Sequence, residues 1–389
     1  MACRVKENNS IDDVIELIAE QGFSGLGEAV TVLINEAMKI ERCRHLEAEP
    51  YERTDSRIGY ANGFKDKKLK TRLGELGLHI PQVREGDFYP SILERGLRSE
   101  RALKLALAEM YVQGVSTRRV KAITEELCGF EVSSTDVSRA AKSLDETLAA
   151  WRSRSLGQHR YLFVDARYEK VRQAGCVVDS AVLIAYGVDE AGLRSILGVS
   201  VSLSEHEVHW RDFFNSLVKR GLHGMELIIS DAHSGLKAAR KAVFPSVPWQ
   251  RCQFHLQQNA QSYVPKKSMR TQVASDIRAI LQAPNDAEAK RLLAMAVKKY
   301  QADMPKLAEW MEINLPEGLT IMQFPEPHRK RLRTSNIAER VNKEIRRRTR
   351  VASIFPNVES CLRLATAVIM EIDEEWQQGN KYLKMNDDI

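Results

Sequence analysis

The chain has 389 residues, 58 Lys and Arg against 52 Asp and Glu, a formal charge of +6, 43% apolar residues and mean hydropathy −0.35. That length exceeds one compact core of ordinary size, so two or three domains are expected. The composition excludes disordered, collagen-like and membrane classes, because no apolar run approaches the roughly 20 residues that span a bilayer. The opening MACRVKENNS has no signal-peptide core. Six scattered cysteines, at 3, 43, 128, 176, 252 and 361, form no C-x-x-C pair. A reducing cytoplasm fits them better than a disulfide framework or a four-cysteine zinc site.

The position of the charge says more than its sum. Residues 328–350, HRKRLRTSNIAERVNKEIRRRTR, hold ten Lys or Arg and two Glu, which leaves 48 basic and 50 acidic residues elsewhere. One 23-residue segment of charge +8 is thus set into a remainder of −2. Smaller basic stretches at 53–72 and 95–121 carry seven basic and two acidic residues each, offset by acidic segments at 1–52 and 359–389. Clustering of this kind suits a polyanion such as nucleic acid, although a solvated helix face uses the same residues.

In chain order, residues 1–50 read as a helical region, with Ile11, Val14, Ile15 and Ile18 on one face and Ala29, Leu33, Ala37 and Ile40 at helical spacing. Residues 51–95 are punctuated by Gly59, Gly63, Gly74, Gly77, Pro81 and Pro90, and Leu76, Leu78 and Ile80 alternate as in a strand, so a small β-containing module is expected. From 96 to 155 the pattern is helical in three pieces ending near Gly114, Gly129 and Trp151, the last opening with the capping residues Ser133, Ser134 and Asp136. The arrangement matches a helix-turn-helix or a plain helical hairpin. Arg118, Arg119, Lys121 and Arg139 tilt it toward DNA.

At 156–258 the period changes. RYLFVDARYEKV, CVVDSAVLIAYGVD and LRSILGVSVSL predict a three-stranded antiparallel meander, followed by a helix, the short strand MELIISD, a second helix and the strand around VPWQRC. The order βββ-α-β-α-β is that of a ribonuclease H-like core. Residues 259–327 read as a helical insertion, and 328–389 as the closing part of the core with C-terminal helices. The predicted fold class is therefore α/β: a mixed-sheet ribonuclease H-like core with an all-helical insertion, preceded by helical and helix-turn-helix-like DNA-binding modules.

Two aspartates end apolar strands in this core: Asp165 after Tyr161–Val164, and Asp231 after Leu227–Ile229. Either alone suits a turn cap. As a pair in adjacent strands they present hard oxygen ligands of the kind Mg²⁺ takes. Two such ions about 3.5–4 Å apart activate an attacking oxygen and stabilise a leaving one at phosphorus. A third carboxylate is needed, and Glu339 is the candidate. It lies in SNIAERVNKEIRRRTR, where Glu339, Asn342, Lys343 and Arg346 share a helix face. A simple Glu339–Lys343 pair fits the same spacing, and Glu344 is a rival. Cys252 and His255 cannot close a four-ligand zinc site by themselves. They read as a buried cysteine and a hydrogen-bonded histidine that support the site, with His233 at its edge.

The segments YLFVDARYEKVR, IISDAHSGL, RCQFHLQQN and RTSNIAERVNKEIRRRTRVASIFPN together resemble the bacterial branch of the Mutator-like DDE transposases, as do GYANGFKDKKLKTRLGELGLHIPQVR near the front and EWQQGNKYL near the end. The resemblance implies a ribonuclease H-like core whose catalytic, metal-binding triad falls on Asp165, Asp231 and Glu339, with Mg²⁺ or Mn²⁺, two ions, as cofactor. It implies partners too: DNA, as terminal inverted repeats and target, and a second copy in a homodimer or larger assembly. Gln258 stands where the family usually carries Arg. The reading is a cytoplasmic, nucleoid-associated transposase of an insertion sequence, with no membrane partner. Expected phosphate contacts are Arg329, Lys330, Arg331, Arg333, Lys343, Arg346, Arg347, Arg348 and Arg350, with Arg118 and Arg119. A nuclease or resolvase without strand transfer, and a non-catalytic DNA-binding regulator, are the alternatives.

Overall fold

The computed structural model describes residues 10–84, 87–93, 95, 99–350 and 353–385, so Cys3 and the first nine residues lie outside it. The chain is of mixed α/β class with two sheets, and divides into two units, Met1–Leu144 and Asp145–Ile389.

The first unit contains α1 (Ser10–Gln21), α2 (Leu26–Leu46), the strands β1 (Ala61–Thr71) and β2 (Gly74–Val83), then α3 (Arg101–Val112), α4 (Thr117–Cys128) and α5 (Ser134–Lys142). β1 and β2 form an antiparallel hairpin. The alternation at Leu76, Leu78 and Ile80 has its physical counterpart here: these side chains bury against Met38 of α2, while Gly77 and His79 face outward. By length and composition the stretch Ile11–Leu46 could cross a membrane, contrary to the expectation that no segment would. Gly22 breaks it in the left-handed region at φ +57°, and Asp12, Asp13, Glu16 and Glu20 lie along its first half. Helices α3, α4 and α5 enclose Leu103, Leu107, Val120, Val132 and Val137. Gly129 ends α4 at φ +68°, and Ser133 and Asp136 cap α5 reciprocally. Residues 133–151, expected as one helix, are two, because the chain turns at Ser143–Leu144.

The second unit opens with α6 (Asp145–Ser153), β3 (His159–Gln173), β4 (Cys176–Asp189), β5 (Arg194–Ser202), α7 (Glu207–Lys219), β6 (Leu227–Ser230), α8 (Ser234–Val243) and β7 (Trp249–Arg251). There follow α9 (Gln253–Ala260), α10 (Arg270–Leu281), α11 (Asp286–Tyr300), α12 (Pro305–Asn314), α13 (Glu326–Leu332), α14 (Asn336–Thr349) and α15 (Val358–Gln378). The strands form one sheet in the order β5-β4-β3-β6-β7. β3, β4 and β5 are antiparallel neighbours, whereas β6 lies parallel to β3, and β7 to β6.

Both faces of the central strands are covered, which is why their sequences are nearly continuous apolar runs. Even-numbered Leu162 and Val164 pack with Trp210, Phe213, Phe214, Leu236 and Ala239 under α7 and α8. Odd-numbered Tyr161 and Phe163 face the other side, toward His328 and Tyr382, and Tyr186 of β4 meets Trp376 of α15. α15 is fixed to the sheet edge by the buried Asp373, which accepts from the Ile196 amide at 2.6 Å and from Arg154 at 3.0 Å. Helices α9–α12 have an apolar core of their own, including Leu256, Val273, Ile277, Leu293, Leu307 and Met311.

Candidate active site

The period of two along β3 sends Asp165, Arg167 and Glu169 to the same face as Tyr161 and Phe163. The parallel ladder pairs Tyr161 with Leu227 and Phe163 with Ile229, an offset of 66 residues. Asp165 and Asp231 are separated by the same 66 positions. Each therefore stands two residues beyond the last ladder pair, side by side on neighbouring strands about 4.8 Å apart. β7 continues the row: Ser230 pairs with Arg251, so Cys252 sits beyond Asp231, its amide donating to the Ser230 carbonyl at 2.8 Å. Asp165 does not end its strand as expected, since β3 runs on to Gln173 paired with β4; the row marks where the parallel ladder with β6 stops.

Helix α14 lies over this row. Its apolar stripe, Ile337, Ala338, Val341 and Ile345, is buried. Asn342 projects toward β3 and donates from Nδ2 to Asp165 Oδ2 at 2.6 Å. The start of the helix is tied to the end of β7: Ser335 donates to Cys252 Sγ from its amide at 3.4 Å and its hydroxyl at 3.3 Å, and the Gln253 amide donates to the Arg333 carbonyl at 2.8 Å. Cys252 thus acts as a buried staple, as its lack of zinc-site company suggests.

The electrostatics of the row are coupled. Burial raises the Asp165 carboxyl, opposed by the Asn342 hydrogen bond and the nearby His255 charge, while Asp231 adds to the rise. Contact with the Cys252 sulfur lifts His255 to about 9 against the effect of burial, and the Asp231 and Asp165 carboxylates push the same way. Burial by itself would raise the Cys252 thiol, but His255 and Ser335 outweigh it and hold the group below its ordinary value. The His255 Nδ1 is buried without a well-formed hydrogen bond. At neutral pH the imidazole is therefore cationic, beside the side chains of Asp165 and Asp231.

Asp165, Asp231 and His255 are brought together; Glu339 is placed differently. It is exposed on α14, one turn before Asn342. Among the described residues no three His, Cys, Asp or Glu side chains stand close enough to hold a metal ion. The two aspartates still form a pair of hard oxygen donors of the type Mg²⁺ takes. Glu344 is engaged elsewhere: hydrogen bonds from Arg347, then Arg348, hold it down at about 2. His233 lies at the entry to α8, half-exposed, 3.8 Å from Glu205.

The basic cluster is not uniform, which corrects the expectation that all of it faces DNA. Arg348 is buried, bonded to Glu344 at 2.9 Å and to Glu371 of α15 at 2.7 Å. Arg329 is spent on the carbonyls of Phe324, Met322 and Pro284. Arg347 clasps Glu344, Arg333 is half-buried, and Arg331 stacks on Tyr382. Lys330, Lys343, Arg346 and Arg350 are exposed. Arg118 and Arg119 are exposed in the first turn of α4. The sequence did hold the signal for Arg348, which falls seven residues after Val341 and three after Ile345, on the apolar row.

The chain is similar to known proteins along nearly its whole length. A family described as "Transposase, Mutator family" matches residues 5–379. The transposase of insertion sequence element IS406 from Burkholderia multivorans is 57% identical over 99% of this chain and 100% of its own. That of ISRM5 from Rhizobium meliloti is 46% identical over 93% and 91%, and that of IS256 in transposon Tn4001 from Staphylococcus aureus is 35% identical over 98% of each. With a family match from residue 5 to residue 379 and full-length relatives that are all transposases, the chain belongs to the Mutator family of transposases.

Proposed function

We propose that this transposase works by a DDE mechanism on a ribonuclease H-like core, with Asp165, Asp231 and Glu339 as the triad, on the terminal inverted repeats of its own insertion sequence. The observation that carries the reading is the register: the 66-residue interval between the aspartates equals the β3–β6 ladder offset, so both stand two residues past the last parallel pair, Asp165 inside β3 and Asp231 just beyond β6. Strand order β5-β4-β3-β6-β7, with three antiparallel and two parallel members, supports the ribonuclease H-like assignment. Glu339 is preferred to Glu344 because it shares a face with Asn342, whereas Glu344 is held by two arginines.

Asp165 and Asp231 would hold Mg²⁺ or Mn²⁺, with Glu339 completing the set. When bound, such ions activate the attacking oxygen and stabilise the leaving oxygen at phosphorus. The chain's own groups align the DNA and balance its charge. His255, cationic at neutral pH, offsets the paired carboxylates. Lys343, Arg346 and Arg350 present charge to the scissile backbone beside them. Hydrolysis would free a 3′-hydroxyl, which the same site then directs at a phosphate of the target. Two copies would hold the two ends, and α4 and α5 would contribute to binding the repeats.

Asp165→Asn tests the reading. End binding should stay within about twofold of the parent, while strand transfer falls about 1,000-fold, the several kcal/mol that a lost charge-stabilising ligand removes. Strand transfer that survives the change would refute the mechanism.

A further inference from the structure

The contacts between β3 and α14 involve four residues to which the triad gives no role. Asp165, Arg167 and Glu169 follow one another along a single face of β3. Arg167, 14% exposed, donates to the Asn342 carbonyl oxygen and pairs with Glu169, which is 12% exposed. Glu169 in turn accepts from the Thr349 hydroxyl at 3.3 Å, seven residues along the helix from Asn342. α14 is thereby held to the strand over two turns, with Asn342 at the level of Asp165.

The Asn342 amide is satisfied on one side only. Nδ2 donates to Asp165 Oδ2 at 2.6 Å, whereas Oδ1 is buried with no partner. Buried polar atoms are nearly always paired, and an orphan in a native fold calls for a reason. Turning the amide over would not cure the orphan, because it would set oxygen against carboxylate oxygen. The fold tolerates the unpaired Oδ1 and keeps the bond to Asp165.

We propose that Asn342 is a positioning residue that fixes the orientation of the Asp165 carboxylate, and that Arg167 holds the helix that delivers it. The inference rests on the reading of Asp165 as a metal ligand. Partners of this kind orient a ligating carboxylate, and their loss typically weakens metal affinity about 10–100-fold.

The test uses the full chain without DNA, with Mn²⁺ as the probe, its bound fraction read by electron paramagnetic resonance and the melting temperature recorded alongside. Asn342→Leu and Asn342→Ala should both weaken Mn²⁺ binding about 10-fold or more. Asn342→Leu removes the orphaned oxygen but also strips Asp165 Oδ2 of its donor, so it should melt below the parent, though above Asn342→Ala because it keeps the volume filled. Arg167→Lys should weaken Mn²⁺ binding in the same direction. Asp165→Asn serves as the control. If it leaves Mn²⁺ binding unchanged, the metal-ligand reading itself fails. If it abolishes binding while both Asn342 variants bind as the parent does, this proposal alone is overturned. It is overturned equally if Asn342→Leu and Asn342→Ala lose Mn²⁺ affinity only in proportion to their different losses of melting temperature, since that is the signature of a purely structural residue.

Discussion

Arg348 and Arg346 lie two residues apart in the same basic run, and the structure gives them opposite tasks. Arg348 is 4% exposed and bridges α14 to α15 through Glu344 and Glu371. Arg346 is exposed on the side of α14 that carries Glu339 and Asn342. Arg348→Met keeps most of the buried volume and removes the charge. Breaking a fully buried pair costs about 3–5 kcal/mol. Here the abandoned carboxylates can recover water, since Glu344 is 27% exposed and still held by Arg347, and Glu371 is 46% exposed. The expected loss is therefore lower, about 2 kcal/mol. At about 2–4 °C per kcal/mol for a unit of this size, the melting temperature should fall by about 4–8 °C. End binding should keep its dependence on salt. Arg346→Gln should do the reverse, leaving the melting temperature unchanged and reducing the slope of log affinity against log salt by about 0.9, one phosphate contact. Thermal melts and fluorescence anisotropy on end DNA across a salt series measure both. A lowered salt slope with an unchanged melt for Arg348→Met would refute the division of the cluster.

Two further outcomes follow from particular contacts. The Glu344 carboxyl is depressed from 4.5 to about 2 in the fold by Arg347 and Arg348, so its contribution to stability is complete above the unfolded value and is lost as pH falls from about 4.5 through 2. Glu344→Gln should therefore flatten the acid side of the stability curve in that window while changing little at neutral pH beyond a constant offset; an unchanged acid limb would contradict the pairing. At Gly235 in the first turn of α8, an added Cβ would stand 2.2 Å from the Glu205 carbonyl oxygen. Gly235→Ala should destabilise by about 1–3 kcal/mol through forced backbone movement beside Asp231, seen as a lowered melt, and a melt equal to the parent would refute the close approach.

The candidate site was unevenly legible in the sequence, and the unevenness has physical causes. Asp165 and Asp231 stood out because a charged residue ending a wholly apolar run breaks a local pattern, and their interval of 66 turned out to be a register. The capping residues of α5 were equally plain, being a local signal written within four positions. The break at Ser143–Leu144 was not, since helical propensity and apolar spacing continue through it and only the packing of α6 with α15 in the second unit separates the two helices. The amphipathic start, read as excluding a membrane-length segment, contains one by composition because only Glu20 and Glu28 are charged between Leu17 and Ile34.

Asn342 shows where sequence reading stops. It could be placed on the Glu339 face from helical spacing, but an amide on a basic helix has many uses, and its partner lies 177 positions away. What selects one use is the pairing of α14 with β3, set by Arg167 reaching a main-chain carbonyl, and a carbonyl leaves no mark in the sequence. The same holds for Arg329, whose three acceptors are all carbonyls. Counting Lys and Arg therefore locates the basic segment but overstates how many of its charges are free to meet a polyanion. The excess of +8 in 328–350 is partly consumed in holding α14 in place, and the remainder, on the exposed side of that helix, lies beside the paired carboxylates. Charge that fixes the helix and charge that faces the DNA are alternate positions of one amphipathic pattern, so the two functions should separate cleanly by mutation at neighbouring residues.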